Sequence, residues 1–136
     1  MQPDLKHFYH EPTGTLSYVV SDPDTSTAAV IDPVLGFSVV SGRTDAGPAE
    51  EIIDFIQAND LQLAWILETH AHADHLSGAQ LLKSRLGGKV AIGEGICKVQ
   101  EHFASIFNLQ APFAADGHQF DQLFANGDAF ALGNID

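Results

Sequence analysis

Three histidines and one aspartate lie within six positions of the segment LETHAHADHLSGA, residues 67–79. They are His70, His72, Asp74 and His75. Neutral imidazole is a good ligand for Zn²⁺ and Fe²⁺, and a carboxylate adds anionic ligation or can hold a metal-bound water. Burying these groups without partners would be costly, so packing gives no reason to gather them. The cluster predicts a metal site, and a solvated polar loop is the alternative.

The elements around the cluster indicate how it is positioned. Residues 61–69, LQLAWILET, form a nearly continuous apolar run of strand length, typical of a central strand covered on both faces. Open α/β sheets hold their ligands at the carboxyl ends of such strands. Alternate residues of an extended segment project to one side, which would bring His70, His72 and Asp74 together. Asp74 and His75 are expected in the turn, or in the first turn, of the helix that follows.

Short apolar runs separated by turn residues predict a mixed α/β domain. Two strands, 15–20 and 27–32, are predicted to form a hairpin around SDPDTS. The aperiodic segment 33–47 is expected to be a loop. Helices are predicted over 48–60, 76–88 and 95–107, a strand over 89–93, and a terminal pair of strands within 119–124 and 128–132. This order implies a sheet with helices against at least one face.

The composition bounds the class of protein. A chain of 136 residues, 45% of them apolar, is long enough for one domain with its own core and too short for two ordinary domains. With 18 acidic and 6 basic residues the formal net charge is −12, which argues against nucleic acid or an anionic membrane surface as partner. No run approaches the roughly 20 apolar residues of a membrane span, and the N-terminus lacks a signal-peptide core. We therefore expect a soluble cytoplasmic protein.

The segment THAHADH, residues 69–75, matches the T-H-x-H-x-D-H signature of the metallo-β-lactamase superfamily. AAVIDPV, AEEIIDFIQAND and LSGAQLLKSRLGGKVAIG also resemble the N-terminal half of that fold, so the resemblance covers nearly the whole chain. It implies an α/β (α+β sandwich) class, with the chain as the N-terminal half of an αββα fold. Within the superfamily, IDPVLGFSVVSGRT followed by ETHAHADHLSGAQLLKSRLGG is most similar to the bacterial persulfide dioxygenases, which are relatives of glyoxalase II.

The resemblance implies two uses of the motif. In persulfide dioxygenases one Fe²⁺ is held by the first histidine, here His70, with a later histidine and a later aspartate. His72, Asp74 and His75 would then orient the ligands and shape the substrate pocket. In glyoxalase-II-like hydrolases His70 and His72 bind one Zn²⁺, and Asp74 and His75 bind a second. All four residues are thus candidate metal ligands, Asp74 is the candidate catalytic residue, and the motif does not decide between the two uses.

Three functions follow as hypotheses. The first is iron-dependent oxidation of glutathione persulfide, or a similar thiol persulfide, to sulfite with O₂. The second is zinc-dependent hydrolysis of a thioester by a metal-activated hydroxide. The third is a catalytically inert half-domain that covers its exposed sheet edge and inner face by forming a homo-oligomer.

The later ligand segments of the family, of the types H-x-P-G-H-T and G-D-x-L-F, do not occur in the sequence. We therefore expect residues 1–136 to be a single domain that stops before the C-terminal half, with a half-site that binds metal weakly. Asp32 either forms a turn or supports the site, and Arg43 is either a surface residue or a contact for an anionic substrate. His7 and His10 are expected to be solvated, and His102 and His118 are expected to be surface or locally hydrogen-bonded residues.

Overall fold

A computed structural model describes residues 2–109 and 114–135. Within these residues the regular structure consists of nine strands and three helices. The strands are β1 (Asp4–His10), β2 (Thr15–Asp22), β3 (Thr27–Ile31), β4 (Val34–Ser38), β5 (Arg43–Asp45), β6 (Gln62–Leu67), β7 (Leu76–Ser77), β8 (Lys89–Gly93) and β9 (Gln122–Phe124). The helices are α1 (Gly47–Ala58), α2 (Ala79–Leu86) and α3 (Ile96–Ile106).

Six strands form the main sheet, in the order β1-β2-β3-β6-β8-β9. The first three are joined as antiparallel neighbours, whereas β3, β6, β8 and β9 run parallel. Ile31 at the end of β3 is paired with Leu67 at the end of β6. The segments that follow these two strands therefore leave the sheet side by side at its carboxyl edge, the edge where parallel sheets bind ligands.

Helices α1 and α2 cover one face of this sheet. The stripe Ile52, Ile53 and Ile56 of α1 and Leu82 of α2 is at most 1% exposed and packs on strand residues such as Ile66. Each fully buried aliphatic side chain of this size contributes about 1.5–3 kcal/mol to folding. This core fixes the sheet and, through it, the position of the two segments at its edge.

Most predicted elements are confirmed: the hairpin of β2 and β3, the central strand β6, the strand β8 and all three helices. The prediction of a loop over 33–47 was wrong, because β4 and β5 pair there. Strand β4 also pairs with β7, immediately after the histidine cluster. That contact joins residues about forty positions apart in the chain, so no local pattern reveals it.

Only one strand of the predicted terminal pair is formed. Residues 122–124 form β9, but 128–132 do not pair as a strand. Phe130 instead packs on Trp65 and Phe124, with ring centroids 5.2 and 5.1 Å apart, and the Trp65 Nε1–H donates to the carbonyl of Ala131 at 3.2 Å. Side-chain packing on the sheet thus replaces the predicted hairpin.

A buried carboxylate joins the β2–β3 turn to the end of the described chain. Asp22 is 0% exposed and accepts hydrogen bonds from the Asn134 N–H at 2.8 Å, the Asp24 N–H at 3.0 Å and the Thr25 hydroxyl at 2.7 Å. These donors, led by the Asn134 N–H, lower the pKa of Asp22 below the usual aspartate value of 3.8.

This arrangement predicts an acid-dependent loss of stability. Because the folded-state pKa of Asp22 is lowered, its stabilising effect is complete above the unfolded pKa and declines as pH falls below about 4. The variant Asp22→Asn should be less stable at neutral pH and should lose less stability than the wild type on acidification. Urea unfolding from pH 3 to 7 measures this difference, with Asp24→Asn as the control for removing one acid from the same turn. Equal pH dependence for the wild type and Asp22→Asn would contradict it.

Candidate metal centre

The predicted cluster lies at the carboxyl edge of the sheet, between β6 and β7. The segment that carries His70, His72, Asp74 and His75 is irregular, and α2 begins only at Ala79. Of the two positions expected for Asp74 and His75, the structure therefore agrees with the turn before the helix and not with the first helical turn. The three imidazoles are nevertheless adjacent, with ring centroids 4.3 Å apart in both pairs: His70 and His72 are tilted by 55°, and His72 and His75 are stacked.

Hydrogen bonds determine which nitrogen of His70 is available to a metal. The Thr69 hydroxyl donates to Asp32 Oδ2 at 2.6 Å, which uses its only proton. Thr69 Oγ1, 2.7 Å from His70 Nδ1, must then accept from the Nδ1–H. The lone pair of His70 is consequently on Nε2.

His72 is held in the opposite tautomer by two carboxylates. Its Nε2 lies 3.0 Å from Asp32 Oδ1 and 2.9 Å from Glu68 Oε2. Carboxylate oxygens act as acceptors in these contacts, so the proton is on Nε2 and the lone pair is on Nδ1. That Nδ1 lies 4.0 Å from Asp74 Oδ1, on the side of the cluster that faces the other candidate ligands.

His75 supplies a direct indication of a missing partner. Its Nδ1–H donates to the carbonyl of Leu76 at 2.7 Å, which leaves a lone pair on Nε2. That Nε2 is buried and has no hydrogen-bond partner among the described residues. Buried polar atoms are nearly always satisfied, so an acceptor-only nitrogen at this place fits a bound cation.

Asp74 is half exposed, and its pKa is lowered. The causes are its own backbone N–H, a hydrogen bond from the Thr15 hydroxyl at 3.1 Å, and the nearby His75 and His72. Thr15 is linked through Thr13 to His10, whose Nδ1 lies 2.7 Å from Thr13 Oγ1. The expectation that His10 is merely solvated was therefore incomplete, since it belongs to a hydrogen-bond chain that ends at Asp74.

Two overlapping groups of residues could hold a metal ion: Asp32 with His70 and His72, and His72 with Asp74 and His75. Within each group, one candidate ligand atom per residue lies within 4.8 Å of the others. The first group is weaker as a ligand set, because the Asp32 oxygens already accept from His72 and from both the N–H and hydroxyl of Thr69. We interpret Asp32 as a support for the histidines. The donor set of imidazole and carboxylate suits Zn²⁺ or Fe²⁺.

A cavity of about 320 Å³ opens beside the histidines. Glu68 and the three cluster histidines line one side, and apolar side chains that include Val90, Ile92 and Phe120 line another. A second cavity of about 280 Å³ shares His70 and Ala71 and extends to Val99 on α3. The candidate centre thus borders cavities that are lined by both polar and apolar side chains, which is common for small-molecule sites.

The sequence analysis did not identify Glu68 as a site residue, and it left the role of Asp32 undecided. Glu68 is 8% exposed, and burial raises its pKa. Asp32 has a left-handed backbone, with φ of 50°, which aspartate tolerates better than most residues. An acid at the end of an otherwise apolar strand was the available signal for Glu68.

The remaining histidines lie outside the cluster: His7 in β1, His102 exposed on α3, and His118 paired with Asp116 at 2.6 Å.

Removing the Asp32 carboxylate should weaken metal binding. Asp32→Ala leaves the N–H and hydroxyl of Thr69 without their acceptor, frees the ring of His70 and removes one of the two acceptors of His72. We expect a loss of about 10–100-fold in affinity for Zn²⁺, measured by competition with a chelator. Asp60→Ala is the matched control, because Asp60 has the same left-handed backbone, with φ of 51°, in the turn after α1. Equal affinity for Zn²⁺ in Asp32→Ala and Asp60→Ala would refute the supporting role.

The fold and the cluster together define a class of metalloprotein in which a histidine-rich loop follows a central parallel strand. The chain belongs to the metallo-β-lactamase superfamily, whose family model matches residues 10–133. The predicted fold class is thereby confirmed, and the members of this superfamily are typically metal-dependent hydrolases or related enzymes. None of the helices in the described residues is long and apolar enough to cross a bilayer.

Three relatives illustrate the range of the family. The chain is 44% identical to a probable metallo-hydrolase of Burkholderia pseudomallei, over 96% of this chain and 45% of that protein. It is 43% identical to glyoxylase B2 of Dictyostelium discoideum, over 90% of this chain and 42% of that protein. It is 32% identical to the mitochondrial persulfide dioxygenase ETHE1 of Bos taurus, over 62% of this chain and 29% of that protein. The chain therefore spans less than half the length of these relatives.

Solved structures agree with this placement. ETHE1 from Myxococcus xanthus superposes with a TM-score of 0.55 at 25% identity, over 65% of this chain and 34% of that one. The B3 metallo-β-lactamase BLEG-1 superposes with a TM-score of 0.62 at 22% identity, over 96% of this chain and 57% of that one. The second likeness concerns the fold alone.

Proposed function

We propose that this chain carries the metal motif of a non-haem iron persulfide dioxygenase. The reaction would convert a thiol persulfide such as glutathione persulfide, with O₂ and water, to the thiol, sulfite and two protons. The observation that carries the proposal is the similarity to bovine persulfide dioxygenase and to the ETHE1 structure. The convergence of His70, His72 and His75, with the unpartnered Nε2 of His75, supports a metal at this place.

The residues of the chain would act in distinct ways. Fe²⁺, when bound, would supply the activation of O₂ and a coordination position for sulfur. His70 would ligate through Nε2, and the apolar walls formed by Val90 and Ile92 would limit the access of water to the reacting groups. Asp74, whose carboxylate is half exposed and lies beside His72, would accept the proton of the incoming persulfide.

The iron site requires ligands beyond the motif. We propose that residues 1–136 correspond to the N-terminal half of the domain, and that the later histidine and aspartate belong to the remaining length that the relatives possess. The share of the relatives' length that the chain covers, 29–45%, supports this proposal. We also propose that the protein is cytoplasmic and that the isolated half associates with itself.

One observation favours a second candidate, a zinc-dependent thioester hydrolase of glyoxalase II type. His72, Asp74 and His75 form a group of potential ligands that a site with one iron does not use fully. The 44% identical relative is named a probable metallo-hydrolase, and hydrolysis is the reaction of this second candidate.

Metal content and two assays distinguish these candidates. The chain joined to the C-terminal half is loaded with Fe²⁺ or Zn²⁺ and tested for O₂ uptake with glutathione persulfide and for hydrolysis of S-lactoylglutathione. We expect O₂ uptake only with the iron form and sulfite as product. Two zinc ions per chain with hydrolysis and no O₂ uptake would replace the dioxygenase by the hydrolase. A metal-free, inactive oligomer would favour the inert half-domain.

A further inference from the structure

We propose that Glu68 is a positioning residue of the metal centre, which holds His72 with Nδ1 directed to the metal. Neither the family motif nor the predicted ligand set includes this residue. The inference rests on the proposed metal centre, and it holds for iron and zinc alike because it concerns the orientation of a histidine.

The geometry places Glu68 between the sheet and the histidine. It directly follows β6, and its N–H donates to the carbonyl of Ala91 in β8 at 2.9 Å. Its Oε2 lies 2.9 Å from His72 Nε2. Its Oε1 accepts from the hydroxyl of Ser77, and the Oγ of Ser77 in turn accepts from the Ala79 N–H at 3.0 Å, at the start of α2. The carboxylate is therefore fixed by contacts on both sides.

Asp32 alone is a weaker explanation of the orientation of His72. Asp32 Oδ1 also accepts the N–H of Thr69 at 2.8 Å, so the oxygen that contacts His72 is shared between two donors. Among the described residues, His72 is the only donor to Glu68 Oε2. Glu68 thus provides the more dedicated acceptor, and Asp32 provides the link between His72 and His70 through Thr69.

This contact affects the metal through the imidazole. An acceptor on one ring nitrogen fixes the tautomer and raises the basicity of the other nitrogen, which strengthens ligation. The side chains of Glu68 and His72 are only 5% and 7% exposed, so the surrounding solvent weakens this interaction little. A buried acid also carries a cost, since burial disfavours its charge. Its presence beside His72 is explained if it improves the metal ligand.

The first test observes His72 directly in the metal-free chain. The Nε2–H proton of His72 should give a downfield NMR resonance that is protected from exchange. In Glu68→Gln the amide oxygen is a weaker acceptor, so the resonance should shift upfield; in Glu68→Ala, where only Asp32 remains as an acceptor, it should shift further and exchange faster. Glu101→Gln, an exposed acid on α3, is the matched control and should leave the resonance in place. An unchanged resonance in Glu68→Ala would overturn the proposal.

The second test measures metal binding with Co²⁺ alone as the probe. We expect the affinity for Co²⁺ to fall about 10-fold in Glu68→Gln and about 100-fold in Glu68→Ala, with a shift of the visible Co²⁺ absorption bands. Ser77→Ala, which removes a contact of Glu68 but none of His72, should show a smaller loss in the same direction. Affinity and spectrum identical to the wild type in Glu68→Ala would overturn the role of Glu68.

The tests of Glu68 and the test of the proposed function can fail independently. A wild-type protein that shows the resonance and binds Co²⁺, but takes up no O₂ when loaded with Fe²⁺, would contradict the dioxygenase and leave the role of Glu68 supported. O₂ uptake by the wild type, together with a Glu68→Ala variant whose resonance and Co²⁺ affinity match the wild type, would support the dioxygenase and contradict the role of Glu68.

Discussion

Replacing His70 by alanine is expected to abolish both metal binding and turnover. His70 is the one ligand that the motif assigns to the metal in the dioxygenase and in the hydrolase. Its Nε2 lone pair is fixed by the Thr69 hydroxyl and, through it, by Asp32. A structural ligand of this kind contributes much of the metal's binding free energy.

The measurement is the metal content of purified protein after dialysis, together with activity in the chain joined to its C-terminal half. His102→Ala is the matched control, because His102 is an exposed histidine on α3 with no contact to the cluster among the described residues. Far-ultraviolet circular dichroism verifies that both variants fold. A His70→Ala protein that retains the metal content of the wild type would remove His70 from the ligand set.

Replacing His72 by alanine is expected to discriminate between the two enzymes. In a zinc hydrolase His72 is a direct ligand, so the variant should lose zinc and activity. In an iron dioxygenase His72 only orients its neighbours, so substantial iron should remain while turnover falls. The structure adds a second effect, because Asp32 and Glu68 would lose the N–H donor that they share. Without the donor between them, the two neighbouring carboxylates repel each other, which should lower the stability of the variant.

A second substitution separates these effects. His72→Asn keeps an N–H donor near the carboxylates but has no imidazole lone pair, so it should recover part of the stability without restoring zinc. Iron and zinc contents are measured for both variants beside thermal unfolding of the metal-free proteins. Full retention of zinc in His72→Ala would refute the hydrolase assignment of His72, and complete loss of iron would refute its purely orienting role in a dioxygenase.

Local patterns were sufficient for most of the fold. The apolar stripe of α1 and the uninterrupted apolar run of β6 are periodic signals of burial, and both elements formed where they were expected. The predictions that failed concern segments with weak local signals. Strand β4 depends on pairing with β7, and residues 128–132 are held by Phe130 and Trp65 rather than by a strand ladder. Both outcomes depend on contacts between distant parts of the chain.

The sequence by itself determined the donor atoms of the candidate site, because three histidines and an aspartate at this spacing have few other uses. Only the tertiary structure decided how those donors are oriented. Asp32 reaches Thr69 and His72 from 37 and 40 positions away, and Thr15 reaches Asp74 from 59 positions away. The contacts of Asp32 arise because the parallel register of β3 and β6 places the ends of two separate strands side by side, and the antiparallel pairing of β2 with β3 brings Thr15 to the same edge. A linear pattern records which residues are present, whereas tautomers and charge partners depend on which strands become neighbours.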